Sequence, residues 1–194
     1  MNRRQLMTAS LAGAAGAALP AMAVGQTAKP GAGPVLLTIS GAIGRSNRAA
    51  LDPALDQLMA KQHVTFDKAF GFDFAALAAM RAVTIRPTLE YDGKPHRLRG
   101  PLLLDVLMQL GVGAQATVLL RALDGYAVKP TLADIARYRF IVATHLDDKP
   151  LPLGGLGPLW AVYDADRLDD FAGKPLNERF ALCPWGVYHI EVQS

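Results

Sequence analysis

The sequence predicts an α+β domain, mostly short mixed β-strands with a few short helices, and three observations lead there. Segments of β-branched and alternating apolar residues recur along the chain between Gly, Asp and Pro turn signals. Helical spacing appears only over short windows, and strands and helices do not alternate as regular βαβ units.

The chain opens MNRRQLMTASLAGAAGAALPAMAVGQ, two arginines ahead of a weakly apolar Ala/Gly-rich stretch that ends in Ala21-Met22-Ala23. This predicts a signal peptide over residues 1–23, cleaved after Ala23, and hence a periplasmic protein. The apolar part is shorter than the ~20 residues that cross a bilayer. Arg3-Arg4 followed by Gln5-Leu6-Met7 fits a twin-arginine signal, although Asn2 stands where Ser or Thr is usual, so the general secretory route stays open. Residues 24–34, small and rich in Gly and Pro, predict a flexible leader, and residues 35–194 a single domain.

A first strand is predicted over 35–40. A short helix follows around 53–61, with Leu55, Leu58 and Met59 on one side. Asp73 caps a helix at 74–80 that feeds a strand at 82–89, and Asp92-Gly93 makes a turn. Pro101 suits the first position of a helix to Leu110, stopped by Gly111. Beyond it come a strand at 116–123, a turn at Asp124-Gly125, a short helix opened by Thr131 with Asp134, and a strand at 139–146. A turn at Asp147-Asp148 precedes closing strands at 159–163 and 187–192.

The formal charge of +3 falls to +1 once Arg3 and Arg4 leave with the signal, and no basic stripe remains, which argues against a nucleic-acid partner. The one cysteine, Cys183, forms no internal disulfide, so packing must hold the fold. His63, His96, His145 and His189 show no ligand spacing, which argues against a metal site. Residues 154–164, GGLGPLWAVYD, look like a phosphate loop, but such a loop leads from strand to helix, whereas Pro158 and Leu-Trp-Ala-Val-Tyr lead into a strand. A Gly-rich turn of this kind lets a flat ligand lie close to the backbone beside Trp160. No acid/base dyad or nucleophile emerges. What remains is a set of arginines, aromatics and one carboxylate near strand ends: Arg86, Arg97, Arg99, Asp124, Tyr126, Trp160, Tyr163 and Trp185.

Three stretches, VTIRPTLEYDGKPHRLRGPLLLDVLMQLGV, DGYAVKPTLADIARYRFIVATHLDDKPLPLGGLGPLWAVYD and the terminal WGVYHIEV, together resemble the molybdopterin-binding domain of the sulfite oxidase-type oxidoreductases. The likeness implies the sulfite-oxidase-type fold over residues 35–194. It also implies a molybdenum-ligating cysteine where this chain reads Arg86-Pro87-Thr88, and neither Pro nor Thr replaces a thiolate. Trp160 stands where those enzymes commonly carry an arginine toward the cofactor phosphate. Both departures argue against the molybdenum cofactor and toward the small, exported, cysteine-less relatives, which bind a pterin and signal its presence to a membrane-bound sensor such as a diguanylate cyclase/phosphodiesterase.

On that reading the protein is not an enzyme and its ligand-binding residues are Arg86, Thr88, Arg97, Asp124, Tyr126, Trp160 and Tyr163. Asp124 would accept from the pterin amide and amino edge, Arg86 would donate to its carbonyl, and Trp160 or Tyr126 would stack on its faces. Trp185 and Cys183 are expected in the core. The alternatives are a small molybdopterin-dependent oxidoreductase without cysteine ligation, and an accessory subunit with no small-molecule ligand.

Overall fold

The computed structural model describes residues 33–193. The predicted signal peptide, its arginine pair and the leader up to residue 32 lie outside the described residues.

The described chain is a mixed α+β domain built on three sheets. The largest has the order β2-β1-β11-β5-β6. Its members are β1 (Val35–Gly41), β2 (Ala69–Asp73), β5 (Thr117–Ala122), β6 (Ala127–Val128) and β11 (Val187–Gln193). β1 and β11 run parallel, joining the two ends of the domain, and the other pairings are antiparallel. The second sheet, β3-β4-β8-β9, is antiparallel and consists of Ala82–Ile85, Leu98–Pro101, His145–Leu146 and Lys149–Pro150. The third pairs β7 (Ile141–Ala143) with β10 (Trp160–Val162). The helices are short: α1 (Gln57–Lys61), α2 (Phe74–Ala79), α3 (Leu103–Met108), α4 (Leu132–Tyr138) and α5 (Leu176–Arg179).

The alternation of β1 and β11 sets the core. Leu37, Ile39, Ile190 and Val192 join Val118 and Leu120 of β5 and the α3 residues Leu103, Val106 and Leu107 in one buried cluster. The intervening Thr38, Ser40 and His189 are also buried, so this strand pair carries a polar layer on its other face. Arg48 covers it, donating to Thr38 Oγ1 at 2.7 Å and to Asp56 Oδ1 at 2.5 Å, while Phe66 stacks on His189 at 6.3 Å.

Local signals act largely as the sequence implies. Asp73 accepts from the N–H of Ala76 at 2.7 Å, and Thr131 and Asp134 form a reciprocal capping box at α4. Gly93 and Gly125 take positive φ in their turns, and Asp147 and Asp148 both do so in the two-residue β8–β9 hairpin.

Four expectations need correction. Pro101 does not open a helix; it ends β4 opposite Ala82, and α3 begins only at Leu103 because the β3–β4 pairing carries through the proline. The strand expected over 139–146 is two, β7 and β8, in different sheets, with Arg139 left-handed at φ 54° and Thr144 bridging to Arg99. The strand expected over 82–89 stops at Ile85. Beyond it the N–H groups of Arg86 and Thr88 go to Asp164 Oδ2 at 3.2 Å and Asp166 Oδ2 at 2.7 Å. The helix expected around 53–61 forms only over Gln57–Lys61; Met59 is its one buried residue, and Leu58, with Leu55 in the preceding turn at 82% exposure, lines a groove instead of the core.

Candidate functional site

A cleft of about 310 Å³ opens where the β5–β6 hairpin meets residues 90–91 and the chain from 177 to 185. Its chemistry comes from Glu90, Tyr91, Asp124, Tyr126, Asn177, Cys183 and Trp185, and among the described residues no lysine, arginine or histidine lines it. Asp124 opens an Asx turn, with Oδ1 accepting from the N–H of Tyr126 at 2.9 Å and Gly125 at φ 91° completing the bend. The turn lifts Tyr126 to 48% exposure, and its hydroxyl donates to Ala181 O at 2.7 Å, which fixes the ring as a wall across the cleft.

Tyr91, 55% exposed, lines the cleft from the turn that carries Asp92-Gly93. Partial burial, followed by the adjacent Glu90 carboxylate, pushes its phenol well above the ordinary range, so it stays a neutral hydrogen-bonding group at any physiological pH. Trp185 also lines the cleft, half-buried and held by a bridge to Trp160 and by Gly186, whose positive φ turns the chain into β11. Aromatic faces and carboxylates converge here, the arrangement that grips a flat, donor-rich ligand.

Of the residues expected at a site, Asp124 and Tyr126 are here and the others are not. Trp160 is 1% exposed; its indole N–H donates to Cys183 O at 2.9 Å and its ring packs at 6.1 Å from Phe180. It lies beneath the cleft floor, because Phe180 and Cys183 are themselves lining residues. Tyr163 is wholly buried, stacked on Phe171 at 5.0 Å with its hydroxyl donating to Arg179 O at 2.7 Å. Arg97 pairs with Asp148 across the second sheet. Arg86 and Thr88 are pinned to Asp164 and Asp166 at the end of β3, so none of these three lines the cleft.

Trp185, expected in the core, is the tryptophan at the cleft, and Glu90 and Tyr91 join it there without being among the residues expected at a site. The signal for them was present. Glu-Tyr immediately before Asp-Gly puts a carboxylate and an aromatic on a tight surface turn, where no core demands the ring.

The GGLG stretch is a structural turn. Gly154 sits at φ 89°, and a Cβ on Gly157 would come within 2.6 Å of Leu151 O, so the last glycine serves close backbone packing. Cys183 is buried as expected, and burial pushes its thiol far above its ordinary range, which makes it a poor source of thiolate. Among the described residues no group of three or more His, Cys, Asp or Glu side chains could hold a metal ion.

Ser40 Oγ and His189 Nε2 lie 2.9 Å apart, but both residues are fully buried and no carboxylate among the described residues meets His189 Nδ1, so this pair does not present a nucleophile. A second concavity, a groove of about 590 Å³, is walled mainly by apolar side chains, among them Val35, Leu55, Leu58 and Leu153. Its charged groups, Arg48 and Asp56, neutralise one another, so it offers a heterocycle little to orient against. No helix among the described residues is long and apolar enough to cross a membrane. No protein-family model matches the chain, and no curated protein matches it.

Proposed function

We propose that this protein is an exported, non-enzymatic pterin-binding protein with the sulfite-oxidase-type fold, and that it reports ligand occupancy to the periplasmic domain of a membrane-bound sensor such as a diguanylate cyclase/phosphodiesterase. The export step rests on residues 1–23 and the sensor on the family resemblance. The ligand class rests on the cleft, and above all on one observation. Carboxylates and aromatic rings line it, with no cationic side chain among the described residues that do so.

A pterin edge presents an amino group and a ring N–H side by side, and a carboxylate accepts both at once. Glu90 and Asp124 are the acceptors, and Tyr126 or Trp185 supplies the stacking face that the sequence assigned to Trp160. The same lining disfavours the intact molybdenum cofactor, whose phosphate would face carboxylates with no arginine or lysine to meet it. The lining of the cleft therefore supports a pterin acting as ligand and not as a redox cofactor.

Titration of the purified protein with an unphosphorylated pterin, followed by pterin fluorescence, tests the reading. Saturable binding is expected, weakened roughly ten- to hundredfold by Asp124→Asn or Glu90→Gln, the range for losing a charged hydrogen-bond partner. Absence of binding, or binding untouched by both substitutions, overturns it.

A further inference from the structure

The second sheet ends in an open edge. β3 is paired on one side only, with β4, from Ala82↔Pro101 to Ile85↔Leu98. Its outer side receives no hydrogen bond from any described residue. Every second residue of such a strand turns both its N–H and its C=O outward.

The same molecule closes its other long edge with care. At β2, Arg48 and Ala69 exchange backbone hydrogen bonds at 2.9 and 3.0 Å, and the Asn47 side-chain amide takes both the N–H and the C=O of Gly71 at 2.7 and 3.0 Å. The far edge of the second sheet, β9, has only two residues to offer.

Along the open stretch itself the flanking charges are arginines. Arg81 and Arg86 flank the strand, and Arg99 stands directly across from Thr84. None of the three has a carboxylate within ion-pair distance among the described residues, whereas neighbouring Arg97 takes Asp148. Arg99 is left donating to the ring of His145 at 3.2 Å. The donating Arg99 nitrogen lies 3.2 Å from both ring nitrogens, and Nδ1 also meets Thr144 Oγ1 at 2.8 Å.

Past Ile85 the edge is shut by Asp164 and Asp166, which hold the N–H groups of Arg86 and Thr88 and are themselves paired with Arg167 and Arg179. The open window is thus the four residues of β3, bounded by guanidinium groups that lack counter-charges.

We infer that the outer edge of β3 is a docking edge for an acidic, extended protein segment, which adds to the second sheet as a further strand. Main-chain hydrogen bonds to β3 provide the alignment, and carboxylates at the two ends of the segment pair with Arg81 and Arg86. Guanidinium suits this role because its planar fork meets a carboxylate with two parallel bonds. The inference does not rest on the ligand cleft, which lies elsewhere, and either can fail alone.

The test uses the full chain and a fluorescein-labelled peptide, Glu-Val-Thr-Val-Val-Glu, followed by fluorescence anisotropy. Binding is expected to weaken with added salt and to fall at least tenfold in Arg81→Glu/Arg86→Glu. Both positions are exposed, so thermal unfolding of that variant should match the parent. Replacing both peptide glutamates by lysine should abolish binding. Of two peptides N-methylated at alternate residues, one should bind and the other should not, because only one edge of the added strand faces β3. Equal binding of both N-methylated peptides, binding unchanged by the double charge reversal, or no binding of the acidic peptide at millimolar concentration overturns the inference.

Discussion

His189 offers a quantitative test of the buried polar layer behind β1 and β11. It is fully buried, its Nε2 meets Ser40 Oγ at 2.9 Å, and Nδ1 has no partner among the described residues. Burial, with Arg121 adding to it, lowers its pKa from 6.5 to about 4. A depressed folded-state value means that the unfolded chain binds the proton first, so stability is present above pH 6.5 and is lost as the pH falls through the window down to about 4.

That displacement corresponds to about 3 kcal/mol, at 1.36 kcal/mol per pH unit, a large part of the ~5–15 kcal/mol that holds a typical domain. Other groups share the window. His145 is lowered by burial and then by Arg99, and acts in the same direction. His96, raised by its bonds to Asp147 and Asp92, acts oppositely, its contribution being complete below pH 6.5 and lost as the pH rises through its folded value. Urea unfolding at intervals from pH 7.5 to 4, compared between the parent and His189→Gln, cancels both. Glutamine keeps a hydrogen-bonding group toward Ser40 without titrating. The parent should lose about 3 kcal/mol more than the variant across the window. Parallel pH profiles would show that His189 gains no proton on unfolding, and the reasoning about the layer would be wrong.

Three further expectations concern packing and capping. Trp160→Ala should cost ~3–5 kcal/mol in chemical denaturation, whereas Trp185→Ala at the half-buried cleft wall should cost much less and instead weaken pterin binding. Gly100→Ala should unfold the domain or lower its thermal midpoint severely, because a Cβ there would meet Val142 O at 1.8 Å. Thr131→Ala removes one half of the α4 capping box and should cost about 1 kcal/mol, read as a shift of the urea midpoint at unchanged slope.

The sequence showed the turns and caps well because their chemistry is local. Asp73, Thr131 with Asp134, and Asp92-Gly93 satisfy their own backbone within a few residues. The errors came where distant segments decide. Pro101 reads as a helix start until β3 claims it as a strand partner, and the run from 139 to 146 reads as one strand until β10 takes its first half and β4 its second. The missing strand β2 belongs to the same class. Ala-Phe-Gly-Phe-Asp has little periodicity of its own and becomes a strand by pairing with β1 and being closed by Asn47 and Arg48.

The exchange of roles between the two tryptophans has a sharper physical cause. Trp160 and Trp185 face one another in an antiparallel bridge, but Trp160 lies on β10, which is paired on its other side with β7 in the middle of the core. Its indole supports the floor of the cleft from below, through the bond to Cys183 O and the contact with Phe180. A loss of binding in Trp160→Ala would therefore be ambiguous, since a collapsed floor and a lost stacking face give the same readout. Trp160→Phe separates them. Phenylalanine keeps an aromatic face and most of the packing but drops the N–H bond, so a stacking role predicts binding close to that of the parent with little change in how it responds to Trp185→Ala. A supporting role makes the two substitutions interact, because freeing Cys183 O loosens the chain that carries Trp185. A double-mutant cycle measured on folded protein should then give a coupling of about 0.5 kcal/mol or more, and strict additivity would return Trp160 to the ligand.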